Sequence, residues 1–178
     1  MFSLFSAVII GFSMLASYAA AVPGMIAGGF SLDENMPDIV LVAESQIGNK
    51  GGEQYWSWYG FDTRAEWCAC FASWCADQCG YIETGAAPKF AGCVWGVQWF
   101  RDKGLWVDGT AVPEPGWMIF YDWDEGGRDG LSDHVGIVES VSEGVIYTVE
   151  GNLSDSVMRA ERELGNPDIL GYGIIVPP

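Results

Sequence analysis

The hydrophobic positions of this chain fall into three regions that differ in their spacing. Residues 1–29 form a run of apolar and small residues, and the first 32 residues contain no charged side chain. Between about residues 37 and 104, apolar positions recur at helical intervals. From Pro113 onward, short apolar runs are separated by turns rich in glycine, which is typical of strands. Helices followed by strands predict an α+β fold with a mainly antiparallel sheet.

The region with helical spacing predicts three helices, and glycines mark their ends. The first helix begins at Pro37, a residue suited to a first helical turn, and stops before Gly48. Gly80 and Gly104 end the other two. An aromatic stretch at residues 55–62 reads as a loop between the first two helices. The predicted helices cover residues 37–47, 65–79 and 93–103.

The last third of the chain predicts a sheet. Residues 142–144, Ser-Glu-Gly, separate two alternating runs and predict a hairpin. An acidic loop at residues 122–133 precedes this hairpin. The predicted strands cover residues 117–121, 134–141, 145–150 and 172–176.

The N-terminal segment, residues 1–30, is long enough to cross a membrane. Small residues at Ala19 and Ala21 also fit a signal-peptide cleavage site, but the basic residues that begin such a signal are absent before Lys50. We therefore predict a retained membrane anchor, with a cleaved signal as the alternative. Residues 31–36 would then be a linker and residues 37–178 a catalytic domain. Both alternatives place that domain outside the cytoplasm, anchored to the membrane or secreted.

Composition excludes some classes of partner. Hydrophobic residues make up 49% of the chain, which includes nine Trp, so a folded core is expected. A net charge of −16 argues against nucleic acid as a partner. The five cysteines cannot all pair within one chain, and their spacing contains no C-x-x-C. We predict neither a metal nor a cofactor.

Two residues suggest nucleophilic catalysis. Cys68 lies in the first turn of the second predicted helix, where the helix dipole favours a thiolate. The other four cysteines read as small buried hydrophobic residues. His134 is the only histidine, and imidazole is the side chain best suited to act as a base near neutral pH. Cys68 as nucleophile and His134 as base would form a cysteine hydrolase.

Glu150 and Asn152 follow at the end of the strand paired with that of His134. In an extended strand, residues two apart point to the same side, so one or both could accept the second imidazole N–H. We therefore predict Cys68, His134, Glu150 and Asn152 as catalytic residues.

Together these residues carry a resemblance to a known family. The segments Glu66-Trp67-Cys68-Ala69-Cys70-Phe71, Asp133-His134-Val135-Gly136 and Val149-Glu150-Gly151-Asn152 occur in the order found in the CHAP family. These are cysteine, histidine-dependent amidohydrolases and peptidases with a papain-like fold. The chain is also similar to membrane-anchored wall hydrolases encoded by conjugative elements and phages.

The resemblance implies a hydrolase of peptidoglycan peptides, either an N-acetylmuramoyl-L-alanine amidase or an endopeptidase. Cys68 would be its nucleophile and His134 its base, with Glu150 and Asn152 orienting the imidazole. An NlpC-like endopeptidase is an alternative, although such enzymes usually orient the base with a second histidine. A catalytically silent, anchored wall-binding domain of a DNA-transfer or phage assembly is another. The bond that is cut stays open at this point.

Overall fold

The computed structural model describes residues 36–123 and 128–177, and their fold is the predicted α+β class. These residues all belong to one compact unit. The helices are α1 (Asp38–Ser45), α2 (Glu53–Tyr59), α3 (Cys68–Gln78), α4 (Tyr81–Thr84) and α5 (Cys93–Asp102). The strands are β1 (Trp106–Asp108), β2 (Met118–Tyr121), β3 (His134–Ser142), β4 (Val145–Leu153), β5 (Ser156–Glu163) and β6 (Ile169–Gly173).

The six strands form one antiparallel sheet in the order β1-β6-β2-β3-β4-β5. The predicted hairpin is its centre: β3 and β4 are joined at Glu143 and Gly144, which both have positive φ angles of 51° and 80°. Two successive positive φ angles match the turn whose twist suits a tight hairpin. The resulting register places Gly136 opposite Glu150. The strand of His134 and the strand of Glu150 are therefore direct neighbours.

Helix α3 lies against this hairpin and is buried on all sides in its first half. Each residue from Cys68 to Ser73 is buried, as expected for a helix without a polar face. Gly151 on β4 allows the close approach, since a Cβ atom there would lie 2.5 Å from the Phe71 side chain. The missing side chain on β4 thus brings the start of α3 next to the sheet.

The structure differs from the predicted elements in two main places. Residues 53–59 form helix α2, not a loop, because Tyr55 is fully buried against the rings of Trp67 and Phe71. Strand β5 was not predicted because it lies at the sheet edge, where Val157 is its single buried residue. Its pairing with β4 over most of its length, and not its own hydrophobic pattern, makes it a strand. Short elements α4 and β1 also lack a prediction.

The predicted membrane anchor, residues 1–30, and almost all of the predicted linker lie outside the described residues. Among residues 36–123 and 128–177, no helix combines the length and the hydrophobicity needed to cross a membrane.

Candidate active site

The Cys68 thiol lies at the first residue of α3, where the preceding Trp67 fixes the helix start. Trp67 is fully buried, and its ring stacks on Tyr55 with centroids 5.3 Å apart. Gly52 leaves room for this ring, because a Cβ atom there would lie 2.2 Å from it. A tight aromatic packing therefore holds the helix end that presents Cys68, which is 6% exposed.

His134 and Glu150 meet across the hairpin. His134 is the first residue of β3, and its Nε2 atom lies 3.0 Å from Glu150 Oε2. Nε2 facing a carboxylate carries a proton, so Nδ1 is the ring nitrogen left for the Cys68 thiol. Gly136 lies opposite Glu150 and leaves space for the Glu150 side chain. A Cβ atom at Gly136 would lie 2.8 Å from Glu150 Cγ.

The protonation of Cys68 and His134 is coupled. A hydrogen bond from the Cys93 thiol, followed by one from His134, holds the Cys68 pKa well below its usual value despite burial. Burial alone would lower the His134 pKa, but hydrogen bonds with Cys68 and Glu150 outweigh it and raise that pKa to about 9. Both directions favour a thiolate and an imidazolium at neutral pH.

The remaining cysteines have the opposite electrostatics. Burial raises the pKa of Cys70 and of Cys79 to about 11, and it also raises that of Cys75. The Cys93 pKa is raised mainly by its hydrogen bond to Cys68. Among the five thiols, a lowered pKa is therefore specific to Cys68.

Glu150 is fully buried and held by three other side chains. The Tyr121 and Thr148 hydroxyls donate to its Oε1 atom at 2.9 and 2.7 Å, and Arg162 Nη2 lies 3.4 Å from the carboxylate. Burial opposes the charge of Glu150, yet contacts with His134 and Arg162 lower its pKa. The carboxylate thus stays ionised and fixed in orientation beside the imidazole.

An aromatic wall covers one face of the imidazole. The Trp123 ring stacks on His134 with centroids 4.9 Å apart and planes inclined by 24°, and Tyr121 stacks on Trp123 at 4.6 Å. The Arg162 guanidinium lies over both aromatic rings. None of these roles was predicted, although Tyr121 is the last residue of a predicted strand and Trp123 follows it by two residues.

Asn152 lies differently from what the strand pattern predicts. Its φ angle is 61°, and the pairing of β4 with β5 shifts register between Glu150 and Leu153. The strand is therefore not extended at this point, and the rule that residues two apart share a side no longer holds. The Asn152 amide donates to the Glu66 carboxylate, and Glu150 is the residue that contacts His134.

Cys93, which was predicted to be a buried core residue, is a neighbour of Cys68. Its sulfur lies 3.7 Å from the Cys68 sulfur, at the first residue of α5. The five cysteines are all free thiols. Within residues 36–123 and 128–177, there is no group of three or more side chains suited to hold a metal ion.

Comparisons with known proteins identify a family. The family model described as "CHAP domain" matches residues 58–152, just over half of the chain, and this range includes Cys68, His134, Glu150 and Asn152. Among curated proteins, the comparison finds none that matches.

Two solved structures are similar in fold. They are a crystal structure of Ly7917 and one of Ly7917 with the hydrolyzing product of MDP, each with a TM-score of 0.52. Sequence identity is 17% and 16%, and each match covers 79% of this chain. The chain corresponds to only 61% and 62% of the length of those chains.

Proposed function

Because the chain belongs to the CHAP domain family, we propose that it is a peptidoglycan hydrolase that cleaves an amide bond through an acyl-enzyme on Cys68. The observation that carries this proposal is the order of contacts in the site. A thiol with a lowered pKa interacts with an imidazole, which bonds to a buried carboxylate at 3.0 Å. Such a chain of nucleophile, base and orienting acid suits acyl transfer.

In the proposed reaction, the Cys68 thiolate attacks the amide carbonyl carbon and forms a tetrahedral intermediate. The His134 imidazolium then donates its proton to the departing amine, which leaves a thioester on Cys68. Neutral His134 next accepts a proton from water, whose oxygen attacks the thioester and releases the acid product. Glu150 keeps the imidazole in one orientation and stabilises its charged form in both steps.

The start of α3 also supplies a donor for the intermediate's oxyanion. The backbone N–H of Cys68 belongs to the first turn, where amide groups lack carbonyl partners within the helix. One such donor contributes about 3 kcal/mol to transition-state stabilisation.

We propose peptides of the bacterial cell wall as the substrate class. Support comes from the family and from a structure of similar fold that holds the hydrolyzing product of MDP. An N-acetylmuramoyl-L-alanine amidase and a peptidoglycan endopeptidase both fit the site, since both cleave amides. Such a substrate lies outside the cytoplasm, which agrees with the proposal that residues 1–30 anchor or export the domain.

The test is digestion of purified cell walls by wild-type protein and by Cys68→Ala, followed by mass spectrometry of the released fragments. We expect wild-type protein to release fragments with one new amine and one new carboxylate, and Cys68→Ala to release none. The masses identify the bond. Release of the same fragments by Cys68→Ala would refute the mechanism. Wall binding without cleavage by wild-type protein would instead favour a catalytically silent wall-binding domain.

A further inference from the structure

Two helices converge with their first residues on the same point of the molecule. Cys68 begins α3 and Cys93 begins α5, and their sulfur atoms lie 3.7 Å apart. Both side chains are largely buried, at 6% and 7% exposure. The proposed hydrolysis uses the Cys68 thiolate and gives the Cys93 thiol no chemical step of its own.

The position of Cys93 is fixed by contacts outside the site. Ser73, on the second turn of α3, donates to the Phe90 carbonyl at 2.8 Å and accepts from the Phe90 N–H at 2.9 Å. Gly96 packs so closely on Phe90 that a Cβ atom would lie 2.6 Å from its ring. The segment that leads into α5 is therefore fastened to α3 itself, and the two sulfurs are held together by the fold.

We propose that Cys93 is a resolving cysteine, which forms a reversible disulfide with Cys68 when a hydroperoxide oxidises the Cys68 thiolate. The inference uses the proposed function only to explain why Cys68 is reactive. The disulfide needs the sulfurs to approach from 3.7 Å to about 2.05 Å, a movement of roughly 1.7 Å that side-chain rotation can largely supply.

The chemistry balances in two steps. The Cys68 thiolate attacks one oxygen of hydrogen peroxide, so that an S–O bond forms, the O–O bond breaks and hydroxide leaves. The Cys93 sulfur then attacks the Cys68 sulfur of the sulfenic acid, forming the S–S bond as the S–O bond breaks. Its proton and the departing hydroxide become water. The His134 imidazolium gives its proton to the hydroxide released in the first step, which becomes the second water. In total the pair loses two electrons, and one peroxide is reduced to two waters.

The charge distribution in the pair favours this sequence of events. The hydrogen bond that Cys93 donates to the Cys68 thiolate is the main cause that raises the Cys93 pKa, followed by burial and by the thiolate charge, so Cys93 stays protonated while Cys68 is reduced. Conversion of Cys68 to a neutral sulfenic acid removes both contributions of the thiolate and leaves that of burial, so Cys93 then loses its proton more readily than before. Cys70 is a poor competitor because burial raises its pKa to about 11.

The consequence is protection of the nucleophile. Without a neighbouring thiol, a sulfenic acid on Cys68 is exposed to further oxidation to an irreversible sulfinic acid. With Cys93 in contact, oxidation would stop at a disulfide that a dithiol can reduce. The domain would be inactive under peroxide stress and recover afterwards.

Tryptic peptides separate the two sulfurs. Cleavage after Arg64, Lys89 and Arg101 places Cys93 alone in residues 90–101, whereas the other four cysteines share residues 65–89. The full chain is treated with hydrogen peroxide at neutral pH, its free thiols are blocked, and it is digested without reductant. We expect wild-type protein to give these two peptides joined by a disulfide, with three blocked thiols, and Cys68→Ala to give no joined pair.

Two variants distinguish disulfide formation by Cys93 from oxidation of Cys68 alone. Cys93→Ser keeps a hydrogen-bond donor beside Cys68 but cannot form the disulfide. In Cys93→Ser we expect the peptide of residues 65–89 to gain two oxygen atoms, as a sulfinic acid at Cys68. The wall hydrolysis lost to peroxide should then not return when a dithiol is added. The matched control, Cys79→Ser, changes another thiol and should behave as wild type, with activity lost to peroxide and fully regained with the dithiol.

Other outcomes contradict either this proposal or the proposed hydrolase function, and the experiment distinguishes the two. Sulfinic acid at Cys68 of the wild-type protein, with Cys93 still blocked as a free thiol, would show that Cys93 does not resolve it. A joined pair in Cys68→Ala would assign the disulfide to another cysteine. Because the joined peptides are detected without an activity assay, a protein that forms them but leaves walls intact refutes only the hydrolase proposal. A protein that hydrolyses walls and forms no joined pair refutes only this one.

Discussion

Replacement of Glu150 by Gln removes one charge from the site and preserves the shape of the side chain. Glu150 is fully buried and its carboxylate lies 3.0 Å from His134 Nε2. A hydrogen bond to a charged group contributes about 1.5–3 kcal/mol, and one pKa unit corresponds to about 1.4 kcal/mol. We therefore expect the His134 pKa to fall by about 1–2 units from its raised position.

The direction of the effect on activity follows from that pKa. The reactive form has a thiolate and an imidazolium, and the latter persists up to a pH of about 9 because the His134 pKa is raised to that value. Wild-type kcat/KM should accordingly decline as pH rises through about 9. In Glu150→Gln the decline should begin about 1–2 pH units lower, and the maximum should fall about 10- to 100-fold.

The assay is the rate of release of soluble fragments from purified walls between acid and alkaline pH. Glu139→Gln is the matched control, because Glu139 also lies on the hairpin and pairs with an arginine, Arg159, at 2.8 Å. Its pH profile should match wild type. If Glu150→Gln kept both the maximum kcat/KM and the pH of its alkaline decline, the role of Glu150 beside the imidazole would be refuted.

Substitutions at Gly52 and Asn152 test the contacts around the catalytic residues. Gly52→Ala adds a Cβ atom 2.2 Å from the Trp67 ring, whereas Gly51→Ala, also at positive φ, meets nothing within 4 Å. In urea unfolding we expect the first to lose about 2–4 kcal/mol and the second about 1 kcal/mol; equal losses would contradict the packing argument. Asn152→Ala should keep the wild-type alkaline decline of kcat/KM in the wall assay, because Asn152 donates to Glu66 and Glu150 contacts His134. A decline that begins at a lower pH, as in Glu150→Gln, would instead support the role that the sequence predicts for Asn152.

Local patterns in the sequence were sufficient to predict the parts of the site that lie on one helix or one hairpin. Apolar positions at helical intervals place Cys68 in the first turn of a helix, and the structure begins that helix at Cys68. The alternation on both sides of residues 142–144 predicts the hairpin that brings Glu150 beside His134.

Features that depend on distant packing were not accessible from the same signals. The bulge that turns Asn152 away arises in the pairing of β4 with β5, and β5 has too few apolar positions to be predicted. The contact of Cys93 with Cys68 depends on how α5 docks on α3 through Phe90. Burial of Tyr55 beneath Trp67 likewise decides that residues 53–59 form a helix.

The proposed mechanism requires Cys68 to be a thiolate at neutral pH, and alkylation measures this directly. The rate at which iodoacetamide labels residues 65–89 is followed against pH in wild-type protein and in Cys68→Ala, together with residual wall hydrolysis. We predict rapid labelling of one thiol at and below neutral pH, absent in Cys68→Ala, with activity lost in proportion. Labelling that rises only near the ordinary thiol pKa of about 8.5, or full activity after Cys68 is labelled, would contradict the mechanism.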